Sequence, residues 1–370
     1  MPTRTSNLSD SDFSTQGDLA FSSTIEEQRG VSFSTESELI FPHSHPFQVG
    51  AYHNGIALRS SYEHPELGTI YTPSYNGQMV KAERDSSVRG RNGTGIEMVF
   101  PVLYGESGVQ FVIAMLKFFK LWGARVNRSC GQHMHIGTES VTGRNANVND
   151  VCMWLTRMIK MSNNLQYGAY CQTGTNRQSN YYSRELQNND NVLSVMSDKE
   201  GKRSKRHGRG TSFTQQDVSN FRHSNRGTFL NLTRVGSGHT IEFRWAAGTL
   251  NPNKWLAHLF TNLFIAQRAW ATKRYSNDCT KVRGNAIHRG DIATQGQRSL
   301  NYLVNDFRNT ATGRELFTSY PTFRERYTRM WSIAHRMAKK WDRQRSGEDA
   351  LYSFRKDPLT AMVEKVESYL

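Results

Sequence analysis

The eight residues CGQHMHIG, at positions 130–137, carry the first sign of how this chain folds and what it does. They alternate as a strand does, and residues two apart in a strand point to the same face. His133 and His135 therefore share one face, and Gly131 lets another backbone approach closely. A lone histidine is usually a satisfied polar side chain. A pair at this spacing indicates a site, because imidazole is a common metal ligand.

A second predicted strand with paired functional groups lies at residues 240–245, TIEFRW. Glu242 and Arg244 are again two apart and share a face. Two interpretations stay open for them: a salt bridge, which is common and weak, or an acid and a base that serve a site. Pro252 then opens a long amphipathic helix that is predicted to reach about residue 275.

Three further glutamates lie on predicted strands closer to the N-terminus. Glu36 and Glu38 alternate within residues 31–41, and Glu97 lies in an apolar strand over residues 95–102. Two carboxylates on one strand face repel each other unless a cation neutralises them, and a buried carboxylate must be paired or bound to metal. An exposed strand face is the alternative for the first pair. Such hard oxygen ligands suit magnesium or manganese.

The pattern of apolar residues predicts an α+β fold, in which an antiparallel sheet has its helices packed on one side. Apolar stripes at helical spacing predict helices over residues 107–122, 150–167 with Asn149 as N-cap, 252–275, 314–343 and 358–370. We predict three parts along the chain: a flexible N-terminal tail over residues 1–30, a catalytic domain over 31–275, and a helical C-terminal extension over 276–370.

The chain is strongly basic, with 47 Lys and Arg against 32 Asp and Glu and a net charge of +15. Such an excess attracts polyanions, whether nucleotides, nucleic acid or an acidic protein, or it is only a basic surface. The run KEGKRSKRHGR at residues 199–209 is interpreted as a solvated loop, a lid over a nucleotide or a nucleic-acid contact. Nucleic acid is possible but is not predicted as a partner.

Cysteine usage and hydropathy favour a soluble, cytoplasmic protein. The four cysteines are widely spread and do not form a disulfide framework, which indicates reduced thiols. The first residues lack the apolar run of a secretory signal, and the most apolar stretches are too short to span a bilayer. Cys130 is expected to be a small core residue rather than a nucleophile. A P-loop or dinucleotide fingerprint is absent from the sequence.

In this order, the motifs resemble those of the amidoligases, predicted carboxylate–amine ligases on the glutamine synthetase fold. CGQHMHIG resembles the glycine-His-x-His strand of the glutamine synthetase superfamily, and residues 240–269 resemble its Glu-x-Arg strand and the following helix. The GTLN link at 248–251, the Glu-x-Glu strand and the stretch GIEMVFPVLYG at 95–105 are similar to the amidoligase version. The resemblance covers residues 33–274.

The resemblance implies a role for each matching residue. It implies that two divalent ions, Mg²⁺ or Mn²⁺, are held by Glu36, Glu38, Glu97, His133 and Glu242. It implies that the phosphates of ATP are bound by His135, Arg222 and Arg226. It implies that Arg244 is catalytic and clamps the substrate carboxylate or its phosphate. It also implies a catalytic role for Asp85, which matches the acidic residue of the Asp-x-Ser motif of the family.

The sequence departs from the family pattern at three places. Ser34 and Thr35 precede the acidic pair where glycine is usual, Ser86 replaces the glycine of the Asp-x-Ser motif, and Phe100 and Pro101 stand in place of a Ser-Pro pair. None of these changes removes a predicted ligand.

We therefore expect an ATP-dependent ligase that activates a carboxylate as an acyl phosphate and joins it to an amine. The substrates are small molecules or peptides, and the sequence does not specify an oligomeric state. Two other hypotheses for the function stay open. One is a phosphotransferase related to glutamate–cysteine ligases or guanidino kinases, and the other is an inactive basic binding or structural protein on the same fold.

Overall fold

The computed structural model describes residues 10–90, 92–186, 226–235, 239–272 and 295–346. The chain divides into two compact units. The first comprises Met1–Met134, Ala247–Trp255 and Ser319–Thr322, and the second comprises His135–Ala246, Leu256–Thr318 and Phe323–Leu370. Arg222, the basic run at 199–209 and the helix predicted over 358–370 lie outside the described residues. The predicted division of the chain at residues 30 and 275 stays a prediction.

The described strands are β1 Ala20–Phe21, β2 Ser32–Phe41, β3 Ile56–Ala57, β4 Ser61–His64, β5 Gly68–Tyr71, β6 Ser74–Tyr75, β7 Lys81–Glu83, β8 Thr94–Val99, β9 Leu103–Tyr104, β10 Gly131–Gly137, β11 Leu230–Asn231 and β12 Thr240–Ala247. The described α-helices are α1 Ile25–Gln28, α2 Gly105–Leu121, α3 Thr138–Thr142, α4 Val148–Tyr170, α5 Pro252–Ala271, α6 Gln295–Asn309, α7 Ala311–Ser319 and α8 Pro321–Ser346. This composition confirms the predicted α+β class with a helical C-terminal region. None of the helices in the described ranges combines the length and the apolar character needed to cross a membrane.

The first unit is built on a mainly antiparallel sheet with the strand order β10–β2–β8–β7–β3. The pairs β2–β8, β8–β7 and β7–β3 are antiparallel, and β9 adds antiparallel pairing to β2. Phe33, Leu39 and Phe41 of β2 are buried, as is nearly the whole length of α2. Phe41 packs edge-on against Phe119 of α2, with ring centroids 5.9 Å apart. One face of β2 is therefore core, and its other face carries Glu36 and Glu38.

The N-terminal segment differs from the flexible tail that composition predicts. From residue 10 onward it contains two 3₁₀ helices, Asp10–Ser14 and Gln16–Leu19, and β1 pairs in parallel with β6. Phe13 and Phe21 are buried and contact Phe118 and Phe111 of α2, at centroid distances of 6.2 and 5.9 Å. A few well-spaced aromatic residues fix this segment, although its average composition is polar.

The second unit contains β11 and β12 and the last three residues of β10, in the order β11–β12–β10. The other regular elements described in this unit are helices. Gly168 of α4 lies so close to α6 that an added Cβ would be 2.8 Å from the carbonyl oxygen of Ser299. The indole Nε1 of Trp154 donates to the carbonyl oxygen of Ala266, 2.9 Å away. The small residue and the buried indole therefore hold α4 tightly to α6 and α5.

Several predicted boundaries are wrong for identifiable reasons. The N-cap of α4 is Asn147 rather than Asn149, because the Asn147 side chain accepts a hydrogen bond from the amide of Asp150. The helix predicted over residues 314–343 is split between α7 and α8, since Pro321 starts a new helix and cannot continue the previous one. The strand predicted over residues 95–102 ends at Val99, two residues before Pro101, which lacks a donor for the ladder.

Glu27 connects the N-terminal segment to the start of α2. Its carboxylate accepts hydrogen bonds from the amide and hydroxyl of Ser107, at 2.8 and 2.9 Å, and from the amide of Thr24 at 2.8 Å. It thus satisfies donors at the N-termini of two helices, where a negative charge is also favourable.

We expect Glu27→Ala to lower the free energy of unfolding by about 1 kcal/mol, because these donors lose their acceptor. A thermal melt should show a fall of about 2–4 °C. Glu26→Ala is the matched control, since Glu26 is exposed and its carboxylate forms a solvent-exposed ion pair with Arg29 at 3.4 Å. Equal melting temperatures for the two variants would contradict the capping role.

Candidate active site

A row of three glutamates crosses the sheet of the first unit. Glu38 of β2 lies directly opposite Glu97 of β8, and Glu97 lies directly opposite Glu83 of β7. All three side chains are buried, with exposed fractions of 4, 6 and 6 %. Like charges that face each other across a ladder destabilise a sheet, so this row requires protons or cations.

His133 lies beside this row, on the strand next to β2. Its Nδ1 is 3.2 Å from Oε2 of Glu36 and 3.9 Å from Oε1 of Glu97, and its Nε2 is 3.5 Å from Oε1 of Glu38. The hydroxyl of Thr35 donates to the carbonyl oxygen of His133 at 3.1 Å and helps to hold the two strands in place. One buried imidazole thus lies among three of the four glutamates that the sequence singled out.

Within the first unit, the carboxylates and the imidazole form two possible ligand sets that share one member. Glu36, Glu97 and His133 make the first set, and Glu38, Asp85 and Glu97 make the second. Within each set the ligand atoms lie within 4.8 Å of one another. Carboxylate oxygens with a single imidazole fit Mg²⁺ or Mn²⁺, which prefer hard oxygen donors. Two sites joined by Glu97 fit two ions.

Asp85 reaches this site from the turn that follows β7. Its Oδ1 accepts the amide of Ser87 at 2.6 Å, which fixes the direction of the carboxylate. The resemblance implied a catalytic role for Asp85. In the structure, its carboxylate is the third member of the second ligand set.

Two glycines let the backbone come close to Glu38. The amide of Gly131 donates to the Oε2 atom of Glu38. A Cβ at Gly248 would be 3.2 Å from the Glu38 carbonyl oxygen and 2.8 Å from the Cβ of Cys130. Cys130 itself is buried with Ile40 and Val88, as expected for a small core residue. These contacts explain physically why glycine occurs before the histidines and in the GTLN link.

The electrostatics of the site centre on Glu97. Burial, followed by the negative charges of its four acidic neighbours, raises the pKa of Glu97 to about 10. The acidic neighbours are Glu36, Glu38, Asp85 and Glu83, in decreasing order of effect. Without a cation, Glu97 therefore keeps its proton at neutral pH. A bound cation would instead favour the ionised carboxylate over the protonated form.

Glu83 is the site residue that the sequence reasoning missed. It lies on a strand of only three residues, too short for a clear alternating pattern. A signal was nevertheless present, because Glu83 and Asp85 are two apart, as Glu36 and Glu38 are. The pairing of β7 with β8 then places Glu83 opposite Glu97, which no local pattern reveals.

The remaining described candidates lie in the second unit. Arg244 forms a buried ion pair with Glu242, at 2.5 Å between Nη1 and Oε1, and its Nε donates to the carbonyl oxygen of Tyr182 at 3.1 Å. The side-chain amide of Asn231 donates to the other carboxylate oxygen of Glu242. His135 is half-buried and Arg226 is exposed. The ion pair is the contact that the salt-bridge interpretation of Glu242 and Arg244 requires.

Residues 61–266 match the model of a protein family described as "Putative amidoligase enzyme". Since the match covers more than half of the chain, this protein belongs to the amidoligase family, as the sequence motifs predicted. Glu97, Asp85, His133 and Glu242 lie within the matched residues, whereas Glu36 and Glu38 precede them.

Two solved structures show a distant likeness to the chain. A bifunctional glutathione synthetase from Pasteurella multocida is 11 % identical with a TM-score of 0.39, over 85 % of this chain and 53 % of that one. The Plasmodium falciparum glutamine synthetase is 12 % identical with a TM-score of 0.29, over 66 % of this chain and 52 % of that one. The chain thus spans about half the length of either structure. No curated protein matches it.

We expect the metal-free protein to lose stability as the pH rises from about 5 to about 9. In the unfolded chain Glu97 has the ordinary carboxyl pKa of 4.5, whereas folded Glu97 holds its proton up to its pKa of about 10. In that window the folded state binds more protons, so the free energy of unfolding falls with pH. Glu97→Gln removes this contribution.

The check is a series of thermal melts of wild type and Glu97→Gln in the presence of a chelator. The wild-type melting temperature should fall more steeply with pH than that of the variant. Glu63→Gln, an exposed carboxylate of β4, should follow the wild type. If the melting temperatures of wild type and Glu97→Gln fall equally with pH, Glu97 is ionised in the metal-free fold.

Proposed function

We propose that this protein is an ATP-dependent carboxylate–amine ligase that forms an amide through an acyl phosphate. Membership of the amidoligase family supports the ligase class. The observation that carries the proposal is the pair of largely buried ligand sets joined by Glu97, which fits two divalent ions. Glu97 and its neighbours are costly to bury, so they favour a function that uses the cations which offset that cost.

The chemistry of the donor set indicates what each residue does. Glu36, Glu38 and Asp85 supply oxygen ligands, and His133 supplies a nitrogen. Mg²⁺ or Mn²⁺ bound there would neutralise the phosphate charge of a nucleotide and help to orient its terminal phosphoryl group. Glu97 releases its proton when the ions bind, so metal affinity should increase with pH.

The proposed reaction has two steps. In the first, an oxygen of the substrate carboxylate attacks the γ-phosphorus of ATP, the bond to the bridging oxygen breaks, and ADP leaves. In the second, the nitrogen of the amine attacks the acyl carbon, phosphate leaves, and the nitrogen loses a proton. Positioning and electrostatic stabilisation are expected to supply most of the rate. By resemblance, His135, Arg222 and Arg226 bind the phosphates, and Glu242 is a further metal ligand.

Two other functions explain the same observations less well. An inactive basic binding protein has no use for the row Glu38, Glu97 and Glu83, whose mutual repulsion destabilises the sheet. A glutamate–cysteine ligase-like or guanidino phosphotransferase would use the same site, and it would differ in the acceptor and the product. Identifying the product of the reaction therefore distinguishes such a phosphotransferase from an amidoligase.

The proposal is tested by trapping the acyl phosphate. We expect the full-length protein, with ATP, Mg²⁺, hydroxylamine and a mixture of the twenty amino acids as carboxylates, to release ADP and form hydroxamates in equal amounts. Glu38→Gln should abolish both products, since it removes a ligand, and Glu63→Gln should leave both unchanged. Hydroxamate formation that persists in a chelator, or in Glu38→Gln, would contradict the proposed site.

Arg244 is proposed to hold the substrate carboxylate with its planar guanidinium group, whose position is fixed by Glu242 and the carbonyl oxygen of Tyr182. Arg244→Lys keeps the charge but loses the planar fork. We expect this variant to melt near the wild-type temperature and to lose on the order of 10²–10³ in turnover. If Arg244 serves only as the ion-pair partner of Glu242, lysine will largely substitute and turnover will fall only a few-fold.

A further inference from the structure

The guanidinium group of Arg244 is held at two of its nitrogen atoms. Its Nη1 contacts Oε1 of Glu242 at 2.5 Å, and its Nε donates to the carbonyl oxygen of Tyr182 at 3.1 Å. Glu242 lies on β12 together with Arg244, whereas Tyr182 belongs to a turn about 60 residues earlier in the chain. The orientation of the guanidinium plane therefore depends on how precisely this turn is placed.

The peptide group between Tyr182 and Ser183 supplies the oxygen that accepts from Arg244, and its N–H is fixed as well. The amide of Ser183 donates to the carbonyl oxygen of Asn180 at 3.1 Å. Because a peptide group is planar, a partner for its N–H also sets the direction of its carbonyl oxygen. The amide of Tyr182 donates to Oδ1 of Asn180 at 2.9 Å, so the side chain of Asn180 stabilises the same turn.

Ser183 is fully buried and is held at two further atoms. Its hydroxyl donates to the carbonyl oxygen of Arg177 at 3.0 Å, and its carbonyl oxygen accepts the hydroxyl of Tyr170 at 2.6 Å. Tyr170 is the last residue of α4 and is fully buried. Burial raises the pKa of its phenol well above the usual value of 10, so the hydroxyl keeps the proton that it donates.

The ring of Tyr170 contacts the strand residue beside Arg244. It packs in a T-shaped arrangement against Phe229, with ring centroids 5.4 Å apart. The carbonyl oxygen of Phe229 accepts the amide of Arg244 at 3.0 Å, and the amide of Phe229 donates to the carbonyl oxygen of Arg184 at 2.7 Å. Tyr170 thus contacts both Phe229, which pairs with the backbone of Arg244, and the turn that accepts from its side chain.

We propose that Tyr170 is a positioning residue for Arg244. Its hydroxyl, acting through Ser183, keeps the carbonyl oxygen of Tyr182 where it accepts the Nε–H of Arg244. The catalytic consequence rests on the proposed function, in which the planar fork of Arg244 meets a substrate carboxylate. A guanidinium that is slightly misdirected presents its donors at the wrong angle, and catalysis is sensitive to small misplacements.

Exchange of the Arg244 Nε–H with water tests the positioning directly, without any substrate. In NMR spectra of the full-length protein with ¹⁵N-labelled arginine, the Arg244 signal is the one that Arg244→Lys removes. Tyr170→Phe keeps the ring on Phe229 but loses the hydroxyl, and we expect it to speed this exchange about three- to tenfold, as for one lost hydrogen bond. Ser183→Ala, which loses the contact with Arg177, should also speed it.

Tyr167→Phe is the matched control for Tyr170→Phe. Tyr167 lies one turn earlier in α4, and its hydroxyl donates to Oε2 of Glu185 at 2.7 Å rather than to the turn that holds Arg244. It should leave the exchange of the Arg244 Nε–H unchanged, and melting temperatures show that each variant is folded. Unchanged exchange in Tyr170→Phe, or equal acceleration in Tyr167→Phe, would overturn the positioning role.

A double-mutant cycle on hydroxamate formation tests the catalytic consequence. Tyr170→Phe should lower turnover about three- to tenfold in the wild type and cause no further loss in Arg244→Lys, because lysine has no Nε–H for the turn to hold. A purely structural effect of Tyr170 would instead multiply with that of Arg244→Lys, and this result would reject the inference. If the wild type forms no hydroxamate, the ligase proposal fails, while the exchange of the Arg244 Nε–H still decides whether Tyr170 positions Arg244.

Discussion

Electrostatic repulsion between glutamates that face each other across β2, β8 and β7 is the constraint on which the first unit depends. Glu38, Glu97 and Glu83 can lie in one row only because the opposite face of the sheet packs against α2. A shift of β2 by one residue would place Phe33, Leu39 and Phe41 on the site face and the glutamates in the core. Apolar packing therefore holds the acids in a register that they would not adopt by themselves.

The same repulsion links the fold to the chemistry. Glu97 has carboxylates on both sides, and burial raises its pKa to about 10, so it accepts either a proton or a metal ion. A group shared between two ligand sets couples the ions that each set would hold. The imidazole of His133, within 4 Å of Glu36, Glu38 and Glu97, is the nitrogen ligand best placed in this unit.

In the second unit a buried charge is stabilised in a different way. Glu242 and Arg244 offset each other's charge, and Asn231 and the carbonyl oxygen of Tyr182 satisfy part of the remaining hydrogen-bonding capacity. Such a buried, hydrogen-bonded pair is costly to break from either side. The rigidity that results suits a group that must present a fixed fork to a substrate, which is the role proposed for Arg244.

The sequence by itself determined which candidate site residues share a strand face, and its motifs indicated the family. The two-residue spacing of Glu36 with Glu38, and of His133 with His135, follows from the geometry of a strand and needs no tertiary information. Apolar periodicity likewise predicted α2 and α5, because helical spacing is local. Composition misled at the N-terminus, where Phe13 and Phe21 fix a polar segment by contacts with residues about 90 positions away or more.

Only the tertiary structure decided which strands became neighbours. The pairing of β7 with β8 brought Glu83 opposite Glu97 and carried Asp85 to the second ligand set. Gly50 is hydrogen-bonded to β7 on both sides of its peptide, and this pairing places the backbone of His53 beside Glu83. Local spacing specifies the face to which a side chain points, whereas strand order and register depend on the packing of the whole unit. The candidate ligands could therefore be named from the sequence, but the position of Glu97 between the two ligand sets could not.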